Sequence, residues 1–284
     1  MKKLKFTFAG GDLRAGAAHE YIKSLGFLSD TFLLEKAESI KKCDKCIVFP
    51  ASDVYVLPLP VTRDNVTVNS PLSDLSLSFD NFFSMLPKEA SVFGGMIPDE
   101  IKNKAEEAGI KLYDYYDSEE FQIKNSVPTA EGAIEIAIRE MPVTLFGTKS
   151  LVIGSGRIGR VIAPLLRAFG SRVTVASRNH EAAVWNEIYG FDTVNTSLIS
   201  ESAKDMDLII NTAPSRVITK EVLSCLKKDA LIIDLASRPG GVDMDEASLL
   251  GIRVIWALGL PGKCAPVSAG RIIGSSVLNM LDNM

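Results

Sequence analysis

Residues 151–179 read LVIGSGRIGRVIAPLLRAFGSRVTVASRN, and no other stretch constrains the fold as much. An apolar run ends on Gly154-x-Gly156-x-x-Gly159, an apolar-periodic segment follows, and a second apolar run closes on Ser177 and Arg178. Glycine permits a tight turn at the first position, close approach of a ligand to the backbone at the second, and close helix–strand packing at the third. Strand, glycine turn, helix, strand is the order of a parallel βαβ unit. Its turn presents free N–H groups and the positive end of a helix dipole, so an anion is favoured there. The spacing suits the pyrophosphate of a dinucleotide, with Ser155, Arg157 and Ile158 lining the same turn. One residue does not fit: Pro164 stands inside the helix, where proline costs about 3 kcal/mol or forces a kink.

A fold of this kind that takes NAD places a carboxylate about 20 residues beyond the fingerprint, where it holds the ribose 2′-hydroxyl. Here that place is VASRN, residues 175–179. A carboxylate would repel a 2′-phosphate, whereas a hydroxyl and a guanidinium fork bind one. Ser177, Arg178 and Asn179 therefore point to NADP as cofactor. The alternative for Arg178 is stacking on adenine.

Strand signals alternate with helix signals along all 284 residues, the pattern of an α/β protein with parallel sheets. Six strands are expected in the second half, at Ser150–Ile153, Arg172–Ala176, Thr193–Val194, Leu208–Asn211, Leu231–Leu235 and Arg253–Trp256. In the first half KLKFTFAGG reads as a strand running into a glycine turn, with a helix to about Gly26. CIVFPAS, ASVFGG and IKLYDYY read as short strands, and PDEIKNKAEEAG as a helix closed by Gly109. Residues 59–80 read as loops or an irregular hairpin, and YDYYDSEE as a strand end and a solvated helix start. In NSVPTAEGAIEIAIREMP, Pro128 fits a first helical turn, Ile134, Ile138 and Met141 mark one face, and Pro142 ends the helix. This helix bridges two domains, and the last helix, with Ile272, Ile273, Val277 and Leu278 apolar, crosses back onto the first. The expected fold is two Rossmann-like doubly wound α/β domains. Residues 1–126 plus 268–284 form a substrate domain, and residues 127–267 a six-stranded parallel NADP-binding domain.

Several function classes are disfavoured. A net charge of −4 argues against nucleic acid as the main partner. The N-terminal MKKLKFTF is too short and too charged for a signal peptide, and no apolar run reaches the length of a membrane helix, so a cytoplasmic location is expected. Cys43 and Cys46 form a single C-x-x-C without a second pair, which reads as reduced, inert thiols and no metal site. The two histidines, His19 and His180, do not follow the sixth strand, where a D-2-hydroxyacid dehydrogenase carries its acid/base imidazole.

Ligands of such sheets bind beyond the carboxyl ends of the strands. Thr212 and Pro214 follow the fourth strand and line the cofactor, Asp234 and Arg238 follow the fifth, and Lys263 follows the sixth. An arginine and a lysine at that edge suit a carboxylate substrate. Asp234 reads equally well as a satisfied residue at a strand end, and Arg238 as a solvated loop charge.

Six segments, in this order, carry a resemblance: GGDLR, NSVPTAEGAIEIAI, LVIGSGRIGR, INTAPS, LIIDLASRPGG and GLPGKCAPVSAGRII. Together they resemble the A subunits of dipicolinate synthases, over nearly the whole chain. More distantly, the two-domain plan is similar to alanine dehydrogenase and D-2-hydroxyacid dehydrogenases. The resemblance implies an NADP-dependent enzyme of the mother cell of sporulating bacteria, working with a flavoprotein-like B subunit. Its substrate would be the small dicarboxylate made by 4-hydroxy-tetrahydrodipicolinate synthase in a branch of the lysine pathway, and its product dipicolinate. A homo-oligomer is also expected. A dicarboxylate needs two cationic or N–H-rich clamps. Arg238 and Lys263 are the candidates from the cofactor domain, and Arg14, Arg63, Ser126 and Thr129 from the other side. Glu131 or Asp234 would take the proton, although a helix N-terminus would stabilise Glu131 as a plain charge too. Two rivals stay open: an NADP-dependent dehydrogenase of another small carboxylate, and an NADP-binding partner protein without turnover of its own.

Overall fold

The computed structural model describes residues 4–37 and 49–284. The chain divides into two compact units, Met1–Asn125 with Ala265–Met284, and Ser126–Cys264.

The first unit begins β1 (Lys5–Ala9), α1 (Leu13–Ser24), β2 (Leu28–Phe32) and β3 (Val54–Val56). It continues α2 (Phe79–Ser84), β4 (Ser91–Gly94), α3 (Asp99–Glu107), β5 (Lys111–Asp114) and the first turns of α4 (Glu119–Glu140). All five strands are parallel, in the order β2-β1-β3-β4-β5. This is the flavodoxin-like doubly wound arrangement. Phe6, Phe8, Val54, Val56 and Phe93 form the core with Ala18 and Ile22 of α1.

Three expectations change here. β2 was not expected from the sequence, because its residues LSDTF are polar or half-exposed at a sheet edge. β3 starts at Val54, beyond the CIVFPAS segment; within that segment residues 49–52 are irregular and the rest lies outside the described residues, as do Cys43 and Cys46. Tyr115, expected in a strand end, is fully buried in a 3-10 turn and donates its hydroxyl to the Leu57 carbonyl at 3.1 Å.

The second unit carries the rest of α4, then β6 (Lys149–Ile153), α5 (Arg157–Ala168), β7 (Arg172–Ser177), α6 (His180–Ile188) and β8 (Asp192–Asn195). There follow α7 (Ile199–Ser202), β9 (Leu208–Asn211), α8 (Lys220–Cys225), β10 (Leu231–Asp234), α9 (Met244–Leu250), β11 (Arg253–Trp256) and α10 (Leu260–Cys264). The six strands are parallel and ordered β11-β10-β9-β6-β7-β8, the Rossmann order when counted from β6. Val152, Ile210 and Ile233 pack on one face with α4 and α5, and Leu151, Ile209 and Ile232 on the other with α8 and α9. Burial on both faces makes such strands read as unbroken apolar runs.

The helix containing Pro128 also differs from expectation. α4 starts at Glu119, so Pro128 sits in its interior and not in its first turn. Ala130, Ala133, Ile134, Ala137 and Met141 form its buried stripe, while Ile138 is 53% exposed and belongs to the other face. Pro164 lies inside α5 on its exposed side, where water can satisfy the Arg160 carbonyl that proline leaves without a donor.

The chain ends with α11 (Pro266–Asp282), part of the first unit. A Cβ at Gly270 would lie 2.4 Å from the Arg14 carbonyl oxygen, and one at Gly274 would lie 2.8 Å from the Tyr21 ring. Glycine at these two places lets α11 press against α1, burying Ile273 and Val277 with Phe6 and Phe8. Among the described residues no helix is long and apolar enough to cross a membrane.

Candidate functional site

The glycine turn joins β6 to α5. Gly154 has φ +105°, and a Cβ there would lie 2.3 Å from the Thr212 Oγ1. Thr212 in turn donates to the Ile153 carbonyl at 2.9 Å, which ties the end of β9 to that of β6. At Gly159 a Cβ would stand 2.0 Å from the Gly154 carbonyl oxygen, so helix and turn touch at backbone distance. Gly156 is different. Its backbone is extended, with φ −84° and ψ −161°, and a Cβ there would meet nothing within 4 Å. The protein's own packing explains two of the three glycines. The third keeps open a space that belongs to no side chain.

Gly156 is also the N-cap of α5, and no side chain caps that helix. In the same unit Asn179 caps α6 and Asp243 caps α9. An uncapped N-terminus beside an empty space suits a pyrophosphate. These residues fit a dinucleotide. Arg157 and Ile158 open α5, and Ser155 donates its hydroxyl to Asn186 Oδ1 at 3.0 Å.

At the end of β7 the structure separates the residues that the sequence grouped. Ser177 is 5% exposed and its hydroxyl donates to the Asn179 carbonyl of the following turn at 3.3 Å. Asn179 Oδ1 accepts the Glu181 N–H at 2.8 Å and is spent on capping. Arg178 is exposed and has no hydrogen-bond or ion-pair partner among the described residues. No acidic side chain occupies 175–179. Of the three, Arg178 alone presents a free charged group.

At the ends of β9 and β10 Asp234, one of the two expected proton acceptors, sits in a buried network. Asp234 is 1% exposed. Its Oδ1 accepts from Asn211 Nδ2 at 2.8 Å and from Ala236 N at 3.1 Å, and its Oδ2 accepts from Gly241 N at 2.8 Å. Asn211 Nδ2 also donates to the Ala213 carbonyl at 3.1 Å, and Trp256 Nε1 donates to the Ala236 carbonyl at 2.8 Å. Asp234 thus holds both ends of the loop 235–241. Asn211, unremarked in the sequence, is its partner; an amide at a strand end before a turn was the available signal. Arg238 projects from this loop, exposed, and Pro214 is exposed on the loop after β9.

α10 carries Lys263, also exposed. It packs on the middle of α4: a Cβ at Gly132 would lie 2.9 Å from Cys264 Sγ and 3.0 Å from Leu260 Cβ. Cys264 donates to the Pro128 carbonyl at 3.1 Å. This contact brings together the segments bearing Lys263 and Glu131. Glu131 is exposed and mid-helix, so the dipole of the α4 N-terminus does not act on it. Ser126 is buried and Thr129 half-buried on the same helix.

The first unit presents its candidates differently. Arg14 is held by Asp12, Nε to Oδ1 at 2.9 Å and Nη2 to Oδ2 at 2.9 Å, and Nη2 also donates to the Leu59 carbonyl. Its charge is matched by the carboxylate of the helix N-cap, beside a hollow lined by Val56, Leu59, Tyr115 and Ile273. Arg63 is exposed on a loop wound around Asp64, whose carboxylate accepts from Val66 N, Thr67 N and two threonine hydroxyls. These bonds hold the Asp64 carboxyl well below the usual range. His19 is buried and lies 2.8 Å from the Ser29 hydroxyl; burial lowers it from 6.5 to about 4, so it is a neutral core residue. Among the described residues no three His, Cys, Asp or Glu side chains gather as metal ligands.

Comparison with known proteins agrees with this architecture. Residues 5–116 match the family described as the N-terminal domain of the dipicolinate synthase A subunit. Residues 122–250 match the NAD-binding domain of D-isomer specific 2-hydroxyacid dehydrogenases. The dipicolinate synthase A subunit of Bacillus subtilis (strain 168) is 34% identical over 236 residues, covering 83% of this chain and 80% of that one. The crystal structure of the B. subtilis protein superposes with a TM-score of 0.87 at 31% identity, covering 100% of this chain and 97% of that one. The corresponding A subunit from Bacillus halodurans also gives 0.87, at 27% identity and 99% coverage of both chains. An L-alanine dehydrogenase, 14% identical, shares the fold with a TM-score of 0.64 over 97% of this chain and 88% of its own. With an oxidoreductase-type dinucleotide domain in its second unit and this likeness along its length, the chain belongs to the family of dipicolinate synthase A subunits.

Proposed function

We propose that the chain is the NADP-dependent oxidoreductase that converts dihydrodipicolinate to dipicolinate. The dihydro compound arises from 4-hydroxy-tetrahydrodipicolinate by loss of water. The observation that carries this reading is the open, uncapped glycine turn at Gly156 in a chain of this family. Exposed Arg178, with no carboxylate beside it, supports NADP over NAD. Since the Ser177 hydroxyl is engaged by the Asn179 carbonyl, the 2′-phosphate contact falls to Arg178.

Bound NADP would accept the hydride that leaves the ring. The ring loses one hydride and one proton and becomes aromatic, which supplies driving force. The chain therefore has to position the substrate and receive a proton. Arg238 and Lys263, both exposed and without an ion-pair partner among the described residues, suit the two carboxylates. Arg14 and Arg63, with Ser126 and Thr129, complete the candidate set, although Arg14 is already neutralised by Asp12. With Asp234 occupied by three donors, Glu131 is the better proton acceptor. Partnership with a flavoprotein-like B subunit, homo-oligomeric assembly and a place in the cytoplasm of a sporulating mother cell belong to the same reading.

Purified chain given substrate with NADP should produce the absorbance of a pyridine dicarboxylate without any second protein. Arg178→Glu should weaken NADP binding by about tenfold or more and leave NAD binding unchanged. Arg238→Ala should end turnover with NADP still bound. Equal affinity for both cofactors in the wild type, unchanged in the Glu variant, would overturn the NADP assignment. Turnover retained in Arg238→Ala would overturn the role of that arginine.

A further inference from the structure

A buried amide lies beside the glycine turn. Asn186, on α6, is 5% exposed, and its Nδ2 has no hydrogen-bond partner. Its Oδ1 takes the Ser155 hydroxyl proton at 3.0 Å. Ser155 stands between Gly154 and Gly156, inside the turn that suits a pyrophosphate. A serine hydroxyl has one proton. While that proton points at Asn186 it cannot point at a phosphate oxygen.

Leaving a buried N–H donor unpaired costs roughly 1–3 kcal/mol, so the arrangement needs a reason. The two ends of an amide have nearly the same size, and a half-turn about its last side-chain bond exchanges them. After that half-turn Nδ2 donates to Ser155 Oγ, and the serine proton is released. The end left without a partner is then a carbonyl oxygen, which is tolerated better than an unpaired N–H. The turned amide is thus the better-satisfied one, provided the serine proton finds an acceptor. In the turn at Gly156, that acceptor is an anion.

We infer that Asn186 is a positioning residue for the dinucleotide: by turning its amide it switches the Ser155 hydroxyl from an internal donor to a donor toward phosphate. The inference rests on the dinucleotide reading of the glycine turn and deepens it. Asn186 need not touch the ligand. Its backbone carbonyl, which accepts from Phe191 N at 2.9 Å, is untouched by side-chain substitution.

The test is a double-mutant cycle read by calorimetric titration of NADP, with thermal melting of each protein alongside. Asn186→Leu, of similar volume, leaves the serine unoriented and should weaken binding by about fivefold. Ser155→Ala should weaken it by a similar factor. Adding Asn186→Leu to Ser155→Ala should change affinity by less than about twofold, because the hydroxyl to be oriented is gone. Asn186→Ala provides a second variant should the leucine not fold. A full fivefold loss from Asn186→Leu in both backgrounds would show a merely structural residue and overturn the inference, as would unchanged affinity in the single variant. Failure of the wild-type chain to bind NADP or NAD at all would sink the dinucleotide reading itself, which separates the two failures.

Discussion

Each unit of this molecule holds one strand–turn–helix junction of the same topology, and the two are built to opposite ends. β1 and β6 are both inner parallel strands that run into glycines and then a helix. After β1, Gly10 and Gly11 have positive φ, and a Cβ at Gly11 would strike Ala15 and Pro58. Asp12 then caps α1, accepting the Arg14 N–H at 3.0 Å, and pairs with the Arg14 side chain. The helix end of the first junction is capped by its own carboxylate, with a hollow beside it. After β6 the helix begins at Gly156 with no cap and with open space at the Cβ position. The same topology ends in a helix capped by a carboxylate in one unit and in an uncapped helix, open to an anion, in the other. Fold alone does not make a site; the capping residue decides whether the helix end is available.

The largest expected effect separates the glycines within the open junction. Gly159→Ala pushes a Cβ to 2.0 Å from a backbone oxygen and should cost about 3 kcal/mol of unfolding free energy. Gly156→Ala, in empty space but at an N-cap where alanine is the poorer residue, should cost about 1 kcal/mol or less. Urea denaturation of the two variants checks this, and equal losses would erase the distinction between packing glycine and ligand glycine.

The next effect converts the uncapped junction into the capped one. Gly156→Asp gives α5 the carboxylate cap that Asp12 gives α1. Stability should hold or rise by a few tenths of a kcal/mol, since an aspartate is a good N-cap. Dinucleotide affinity should fall about a hundredfold, because a fixed negative charge now fills the anion position. Calorimetry reads both quantities, and tight binding in this variant would disprove the location of the pyrophosphate.

The smallest effect concerns pH and sets the two units apart by their histidines. His19 lies in the first unit's core and His180 is exposed at the start of α6. Burial, the dominant influence, lowers His19 from 6.5 to about 4, helped by Lys23 and opposed by the weaker effects of Glu20 and Asp30. Between those values the unfolded chain binds a proton that the folded one does not. His19 therefore permits full stability above pH 6.5, and stability falls as pH drops toward 4. From pH 7 to 5 the loss should be about 2 kcal/mol. Urea midpoints at both pH values should show a shallower pH dependence in His19→Gln, whereas an unchanged slope would show that other groups carry it.

Legibility differed between the units for the same reason that their sheets differ. The inner strands of the second unit, such as LVI of β6, LII of β9 and LII of β10, are buried on both faces and stand out as apolar runs. β2 of the first unit is an edge strand of mixed residues, and β3 is three residues long, so neither carries a period to detect. Pro128 misled because its preference for a first turn concerns a missing N–H. A long helix packed along Ala130, Ala133 and Ala137 tolerates one lost bond. Ser177 and Asp234 were visible as polar residues at strand ends, yet their partners were not. Asn179 and Gly241 are near in sequence, but Asn211 comes from a different strand.

The amino-acid sequence by itself determined the α/β class, the second sheet and the glycine turn, because each depends on local spacing and on burial that repeats along the chain. The partner of the Ser177 hydroxyl, the network around Asp234 and the pairing of Arg14 with Asp12 and the Leu59 carbonyl were decided by tertiary structure. Each requires groups from separate elements to meet, and the energy of a buried polar group depends on the partners it finds there.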